Sequence, residues 1–364
     1  MRATLVSLFI ASFILPLGLS QILSDSQINT IISGLDSAQP PLQSWEIGTF
    51  AEALLELDTP RWSTLTPGVE LSSFSSPPPD SLDEVLAIAK RHRAPLLTNA
   101  AAGDPSSTGF AVVLANLTGQ GQADGLFYAD AADSQIRWLF NNLQLWSDFV
   151  YMVPPFLAYY GVATGNYSIA YEAYNQIKQY RDYLRDSETG LWRHMVLGYS
   201  CDEGYWATGN AWAAGGIVRV LAIFAPSQYN LAQWAYAIQS ALGDHLVTTP
   251  ALLHNYADDA STFLDAASSA LFAAFAYRLD VLLHSNVLPL AHFTDDMTLM
   301  PVVNGHNFPV ELLLPPNATN IAAGGGIATS YEAQGFVINL HAAYRDWAAA
   351  SNTKRRRVLR WMRP

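Results

Sequence analysis

The sequence of 364 residues holds one cysteine, Cys201, and only three lysines. A single thiol excludes an intramolecular disulfide framework and any zinc site built on several thiolates, so stability has to come from burial. Charge is scarce too: 14% of residues are charged against 50% hydrophobic, which excludes a disordered, solvated chain. Acidic residues outnumber Lys plus Arg by 31 to 19, and a formal net charge of -12 is the wrong sign for a phosphate-binding surface, so no nucleic-acid partner is expected. A serine nucleophile elbow, a Walker loop, a dinucleotide fingerprint and an H-E-x-x-H motif are all missing. No ligand cluster has metal spacing, so neither a metal nor another cofactor is expected. Aromatic residues, by contrast, are plentiful, with ten Trp, 17 Tyr and 16 Phe, a composition suited to stacking on flat ligands.

Residues 1–20 read as a secretory signal: Met-Arg, an apolar run from Ala3 to Leu15, and small residues at Gly18 and Ser20 before the cleavage point. Three N-x-[ST] sequons, at Asn116, Asn166 and Asn317, agree with passage through a secretory pathway as glycosylation sites. No later stretch holds about 18 uncharged apolar residues, so no membrane partner is expected and the mature chain should be extracellular. Apolar residues recur at helical spacing over 44–57, 82–92, 123–140, 165–185, 210–224, 228–245, 262–281 and 331–349, joined by short connectors such as Gly119-Gln120-Gly121 and Gly324-Gly325-Gly326. The pattern predicts a nearly all-α chain of stacked helical hairpins, a toroid or bundle, in one domain over 21–350. Lys354 to Pro364 hold six basic residues and no acid; a frayed basic tail, 351–364, is the default reading, and acidic-polysaccharide binding the alternative.

Few polar residues stand where chemistry is conceivable. Asp148 is a lone carboxylate in the apolar, aromatic stretch Leu145–Gly161, ahead of Pro154-Pro155, which no undisturbed helix interior accepts. It is either a helix cap or an acid whose pKa is raised by desolvation beside Trp146 and Tyr151. In Gly190-Leu191-Trp192-Arg193-His194 and Gly204–Gly216, Trp206 and Trp212 bracket a Gly-Asn pair, with Asn210 as a credible cap; two indoles can wall a sugar site or fill core gaps. His194 reads equally as a satisfied buried imidazole. Trp45-Glu46, Asp265 and Ser330-Tyr331-Glu332 read as helix starts bearing one acid each.

In this order the segments resemble the unsaturated glycuronyl hydrolases, specifically the unsaturated rhamnogalacturonyl hydrolases of glycoside hydrolase family 105, akin to family 88. The resemblance spans about residues 43–349 and rests on Trp45-Glu46-x-Gly48, Trp146-x-Asp148-x-x-Tyr151-Met152-x-x-Pro155-Phe156-Leu157-Ala158, Gly190-Leu191-Trp192-x-His194, Trp206-x-x-Gly209-Asn210-x-Trp212 and Glu332-Ala333-Gln334-Gly335. It implies an (α/α)6 barrel of six helical hairpins. It also implies a secreted, monomeric hydrolase that hydrates the C4=C5 enol ether of an unsaturated pectic oligosaccharide, with Asp148 as the catalytic acid. Asp104, Trp146, Tyr151, His194, Trp206, Asn210 and Trp212 would bind substrate, the two indoles as a stacking wall and Asp104 as a second acid. Two departures mark this chain. The stretch Trp138–Trp146 is short where relatives carry a histidine-bearing loop, which predicts weakened activity or, as the alternative, an impaired paralogue that only binds pectic oligosaccharides. Thr208 stands where bacterial members often place an arginine, leaving His194 or Arg193 to meet the uronate carboxylate.

Overall fold

The computed structural model describes residues 23–37, 42–65, 80–92, 101–224, 229–247, 252–278 and 330–361. The signal segment, Asn317 and Gly324-Gly325-Gly326 lie outside them. The described helices are α1 (Asp25–Asp36), α2 (Ser44–Asp58), α3 (Asp83–His92), α4 (Gly109–Leu117), α5 (Gln120–Asp124), α6 (Tyr128–Phe140), α7 (Phe149–Thr164), α8 (Tyr167–Leu184), α9 (Ala207–Ile223), α10 (Tyr229–Asp244), α11 (Ala266–Arg278) and α12 (Tyr331–Trp361). Two small antiparallel ribbons complete them, β1 (Leu145–Trp146) with β2 (Met195–Leu197) and β3 (Leu253–His254) with β4 (Leu264–Asp265). No described helix is long and apolar enough to cross a membrane.

Helices α2, α4, α7, α9, α11 and α12 close into a ring, each packed on the next and α12 on α2. Outside it α3, α6, α8 and α10 pack on the ring helices, and α1 packs on α12. Sequence decides which layer a helix joins. The ring helix α7 carries no charged residue and α9 only Arg219, so both can be buried nearly all round. The outer helix α8 instead buries one stripe, Ala170, Ala173, Ile177, Tyr180 and Leu184, at helical spacing and leaves its other side wet. This alternation of inner and outer helices is the expected (α/α)6 architecture.

Four helices depart from the sequence periodicity, among them the short α5, which forms on the expected Gly119-Gln120-Gly121 connector. Helices α4 and α7 are buried on every side and so show no apolar stripe to detect. Helix α7 also runs straight through Pro154 and Pro155, contrary to the expectation of a break. Pro154 cannot donate to the Val150 carbonyl, but α9 approaches that carbonyl so closely at Gly216 that a β-carbon there would overlap it. The fourth, α1, opens with a capping box between Ser24 and Gln27. At the other end α12 continues as helix through the basic cluster to Trp361 instead of fraying after 350.

The ring helices all start at the same end of the barrel. Trp45 Nε1 at the start of α2 donates to Glu332 Oε2 at the start of α12 over 3.0 Å, and Ser107 Oγ before α4 donates to the Ser44 carbonyl over 2.7 Å. Gly103 lies against Phe149 and Gly209 against Ser147, joining the starts of α4, α7 and α9; Thr208 Oγ1 donates to Asp265 Oδ2 at 2.7 Å, joining α9 to α11. At the opposite end a buried ion network takes over. Arg219 lies between Glu52 and Glu56, its guanidinium 4.0 Å from the Tyr151 ring centroid; Arg278 bridges Glu56 and Asp346, and Arg345 donates to the last carbonyls of α2.

Candidate active site

Six helix starts gathered at one mouth bring the N-terminal residues of distant segments together. Asp148 is the residue before α7, with helical backbone angles (φ -67°, ψ -29°) and no side-chain capping bond, so the cap reading fails. Its carboxyl is nine-tenths buried, and Oδ1 accepts no hydrogen bond from the described residues. Oδ1 stands 3.8 Å from His194 Nε2. The β1–β2 ribbon sets this approach, because Ser147 N donates to the His194 carbonyl over 2.8 Å. Burial pushes the Asp148 carboxyl up, and His194 opposes the rise.

His194 is held from behind. Its Nδ1 meets Asp202 Oδ2 at 2.9 Å; the same oxygen accepts from Tyr256 Oη at 2.7 Å, and Asp202 Oδ1 accepts from Gly204 N at 2.9 Å. Burial alone would raise Asp202, but the hydrogen bonds from His194, Tyr256 and Gly204 outweigh it and hold the carboxyl below its usual range. Asp202 therefore holds the ring through Nδ1 and leaves Nε2 facing Asp148. The imidazole is thus tied to a carboxylate rather than idle in the core; among the described residues no group of three His, Cys, Asp or Glu could hold a metal.

Asp104 opens the 3-10 turn before α4 and is buried close enough to Asp148 and Glu332 for their charges to act on it. Burial first, then the negative charge of those two acids, raises its carboxyl well above the usual range. Trp206 is half-buried with its ring 4.5 Å from the His194 ring, and Trp146 lies 6.5 Å from it on the Asp148 side. Both indole N–H groups are buried without a partner among the described residues, as is Asp148 Oδ1. Buried polar atoms left open at a barrel mouth are what a polar ligand would satisfy.

Four residues expected at the site sit elsewhere. Trp212 is 2% exposed and packs edge-on against Tyr151 (4.2 Å) and Phe336 (4.7 Å), one or two turns below the mouth, so it has no open face for a sugar; Tyr151, equally buried, carries Arg219 on its ring. Asn210 neither caps α9, which starts at Ala207, nor faces a ligand. Its amide accepts from Trp192 N and donates to the carbonyls of Trp192 and Trp206, fixing the 192–194 strand to α9. Arg193 points away and pairs with Glu203 at 3.4 Å. Asp265 caps α11, accepting from Thr208, Ala267 N and Ser268 N. Of the sequons, Asn116 and Asn166 are exposed, and Asn166 caps α8 through its oxygen, which leaves the amide nitrogen open.

Asp202, Tyr256 and Tyr199 stand in no motif that sequence reasoning singled out. Tyr199 packs edge-on against Trp146 at 4.9 Å, and burial and the charges of Asp104 and Asp148 raise its hydroxyl pKa. Gly198 (φ 151°) and Gly204 flank a short excursion that returns Asp202 beside Met195, a turn signal readable in sequence. Tyr256 arrives from a distant strand through the Trp206–Tyr256 bridge, for which sequence offers none.

Comparison with known proteins agrees with this geometry. Residues 119–274 match the family described as Glycosyl Hydrolase Family 88. No curated protein matches the chain. Among solved structures, a possible member of the GH105 family from Klebsiella pneumoniae superposes with a TM-score of 0.66 at 16% identity, covering 91% of this chain and 96% of its own. A family 105 glycoside hydrolase from C. acetobutylicum gives 0.64 at 13% identity, covering 88% and 99%. An unsaturated glucuronyl hydrolase specific for heparin gives 0.55 at 11% identity, covering 88% and 96%. These likenesses fix the fold, and the family match spans both Asp148 and the His194–Asp202 pair. Over residues 119–274 the chain is thus similar to Glycosyl Hydrolase Family 88, and it shares the fold of the solved structures named for family 105 and for an unsaturated glucuronyl hydrolase.

Proposed function

We propose that the protein is secreted and removes a 4,5-unsaturated uronic acid from the non-reducing end of rhamnogalacturonan fragments left by pectin lyases. The observation that carries this reading is the buried Asp148 carboxyl, pushed up by burial, with an unpaired oxygen facing His194. Protonated Asp148 gives its proton to C4 of the enol ether while water adds at C5. The resulting carboxylate, or His194 Nε2 beside it, takes the proton lost by that water, and the hemiketal at C5 then opens to release the next sugar. One carboxyl serves as acid and then base, so the pair of carboxylates that flanks an ordinary glycosidic bond is not needed. Asp104, whose carboxyl burial pushes up, can donate to the sugar when protonated. The substrate carboxylate, awkward for a chain of net charge -12, meets the positive ends of the ring helices at the mouth.

Incubation with the lyase-generated unsaturated rhamnogalacturonan disaccharide should bleach the enol-ether absorbance, and Asp148→Asn should abolish the bleaching. Full activity in Asp148→Asn would remove the assignment. The four-residue link Asn141–Gln144 between α6 and β1 favours a second reading, an impaired paralogue; it predicts saturable calorimetric binding of the same disaccharide with no absorbance change.

A further inference from the structure

A second concavity of about 440 Å³ lies beside the mouth, between the end of α6, the Asn141–Gln144 link and one face of α8. Its inner wall includes Gly103 and Phe149, the chain neighbours of Asp104 and Asp148, so the cleft shares backbone with both acids. Helix α8 lines it with Glu172, Gln176, Gln179, Tyr180 and Tyr183, at the spacing that places side chains on one helix face. Tyr180 Oη donates to the Gln144 carbonyl, and Gln144 Oε1 accepts from Ala102 N, so this wall is fixed.

The chemistry of the lining is selective. Four of the nine large hydrophobic residues exposed among the described residues, Phe140, Leu143, Tyr183 and Leu197, stand around this one cleft. Such concentration of apolar surface marks a binding site. Between them lie the Gln176 and Gln179 amides, which have no hydrogen-bond partner among the described residues. The single charged lining residue is Glu172, with no cation beside it in the cleft, so an anion is disfavoured there. Amides that meet vicinal hydroxyls and rings that meet C–H faces suit a sugar without charge.

We infer that this cleft holds a neutral sugar of the oligosaccharide whose unsaturated end sits at Asp148. The inference rests on the proposed hydrolase reading for what occupies the mouth, and the experiment separates the two. Calorimetry and kinetics are run with unsaturated rhamnogalacturonan disaccharide and tetrasaccharide on the intact protein, on the double variant Gln176→Ala/Gln179→Ala and on Tyr183→Ala. These residues are at the surface of an outer helix, and circular dichroism confirms that the variants fold. The double variant should bind the tetrasaccharide roughly tenfold more weakly or worse, with KM raised and kcat kept, while the disaccharide changes less. Unaltered tetrasaccharide affinity in both variants overturns the cleft assignment even if the enzyme bleaches the substrate. Glutamine-dependent binding without bleaching leaves the cleft standing and removes the hydrolase reading.

Discussion

Replacing Asp202 by asparagine tests how the site orients its imidazole. Asp202 accepts three bonds, two at Oδ2 from His194 Nδ1 and Tyr256 and one at Oδ1 from Gly204 N. An asparagine amide must put its NH2 at one of these places. Facing Gly204 it opposes donor to donor; facing His194 and Tyr256 it loses the acceptor that holds the proton on Nδ1. A hydrogen bond to an ionised group contributes about 1.5–3 kcal/mol. At about 1.4 kcal/mol per decade, kcat for the unsaturated disaccharide should fall roughly tenfold to a hundredfold with KM little changed, because Asp202 touches no substrate. In His194→Ala the same substitution should cost almost nothing further, since its effect passes through the ring. Nitrogen-15 spectra read the tautomer without any substrate: the wild type should show His194 protonated at Nδ1, and the variant should lose that preference. An Asp202→Asn enzyme with wild-type kcat and an unchanged His194 tautomer, or one whose loss adds in full to that of His194→Ala, would refute the argument.

Three further outcomes concern stability. Glu46, 1% exposed, is raised by burial from 4.5 to about 7. The folded state therefore keeps a proton that the unfolded chain releases, and stability falls as pH rises through that window by about 3 kcal/mol. Glu46→Gln should match the wild type in urea at pH 4.5 and exceed it at pH 8, and an equal difference at both pH values would contradict this. Gly216→Ala should destabilise by about 3 kcal/mol, the upper range of overpacking, because the clash is with the Val150 backbone, whereas Gly34→Ala, with open space around it on α1, should gain about 0.5–1 kcal/mol. Arg219→Met should cost about 3–5 kcal/mol in denaturant melts by stranding Glu52, since Glu56 keeps Arg278, and adding Glu52→Gln should recover most of it.

Much of the outer layer was legible in sequence because a half-buried helix displays its stripe; α8 and α10 were bounded to within about two residues. The inner ring was harder for the same physical reason in reverse, since α4 and α7 are wetted on no side and Pro154 falls where a neighbouring helix covers the freed carbonyl. At the site, the motif around Asp148 and the His194 segment could be read as candidates, and the structure brings Asp104 and Trp206 to them. Trp212 and Asn210 were misplaced because spacing along a chain does not say whether α9 begins before or after Gly209. Starting at Ala207, the helix turns both residues inward.

The six inner helices begin at one rim and end at the other, and the two rims carry different duties. Connections that enter the ring hold Asp104, Asp148, His194 and Glu332, whereas the exits hold the Arg219 and Arg278 network. Which rim a substitution touches should thus foretell its phenotype: changes in the entry segments around Asp148 and His194 ought to alter turnover at constant melting temperature, and changes in the exit network the reverse. A chain built this way can exchange its entry loops to acquire new substrates while the exit rim keeps the barrel shut.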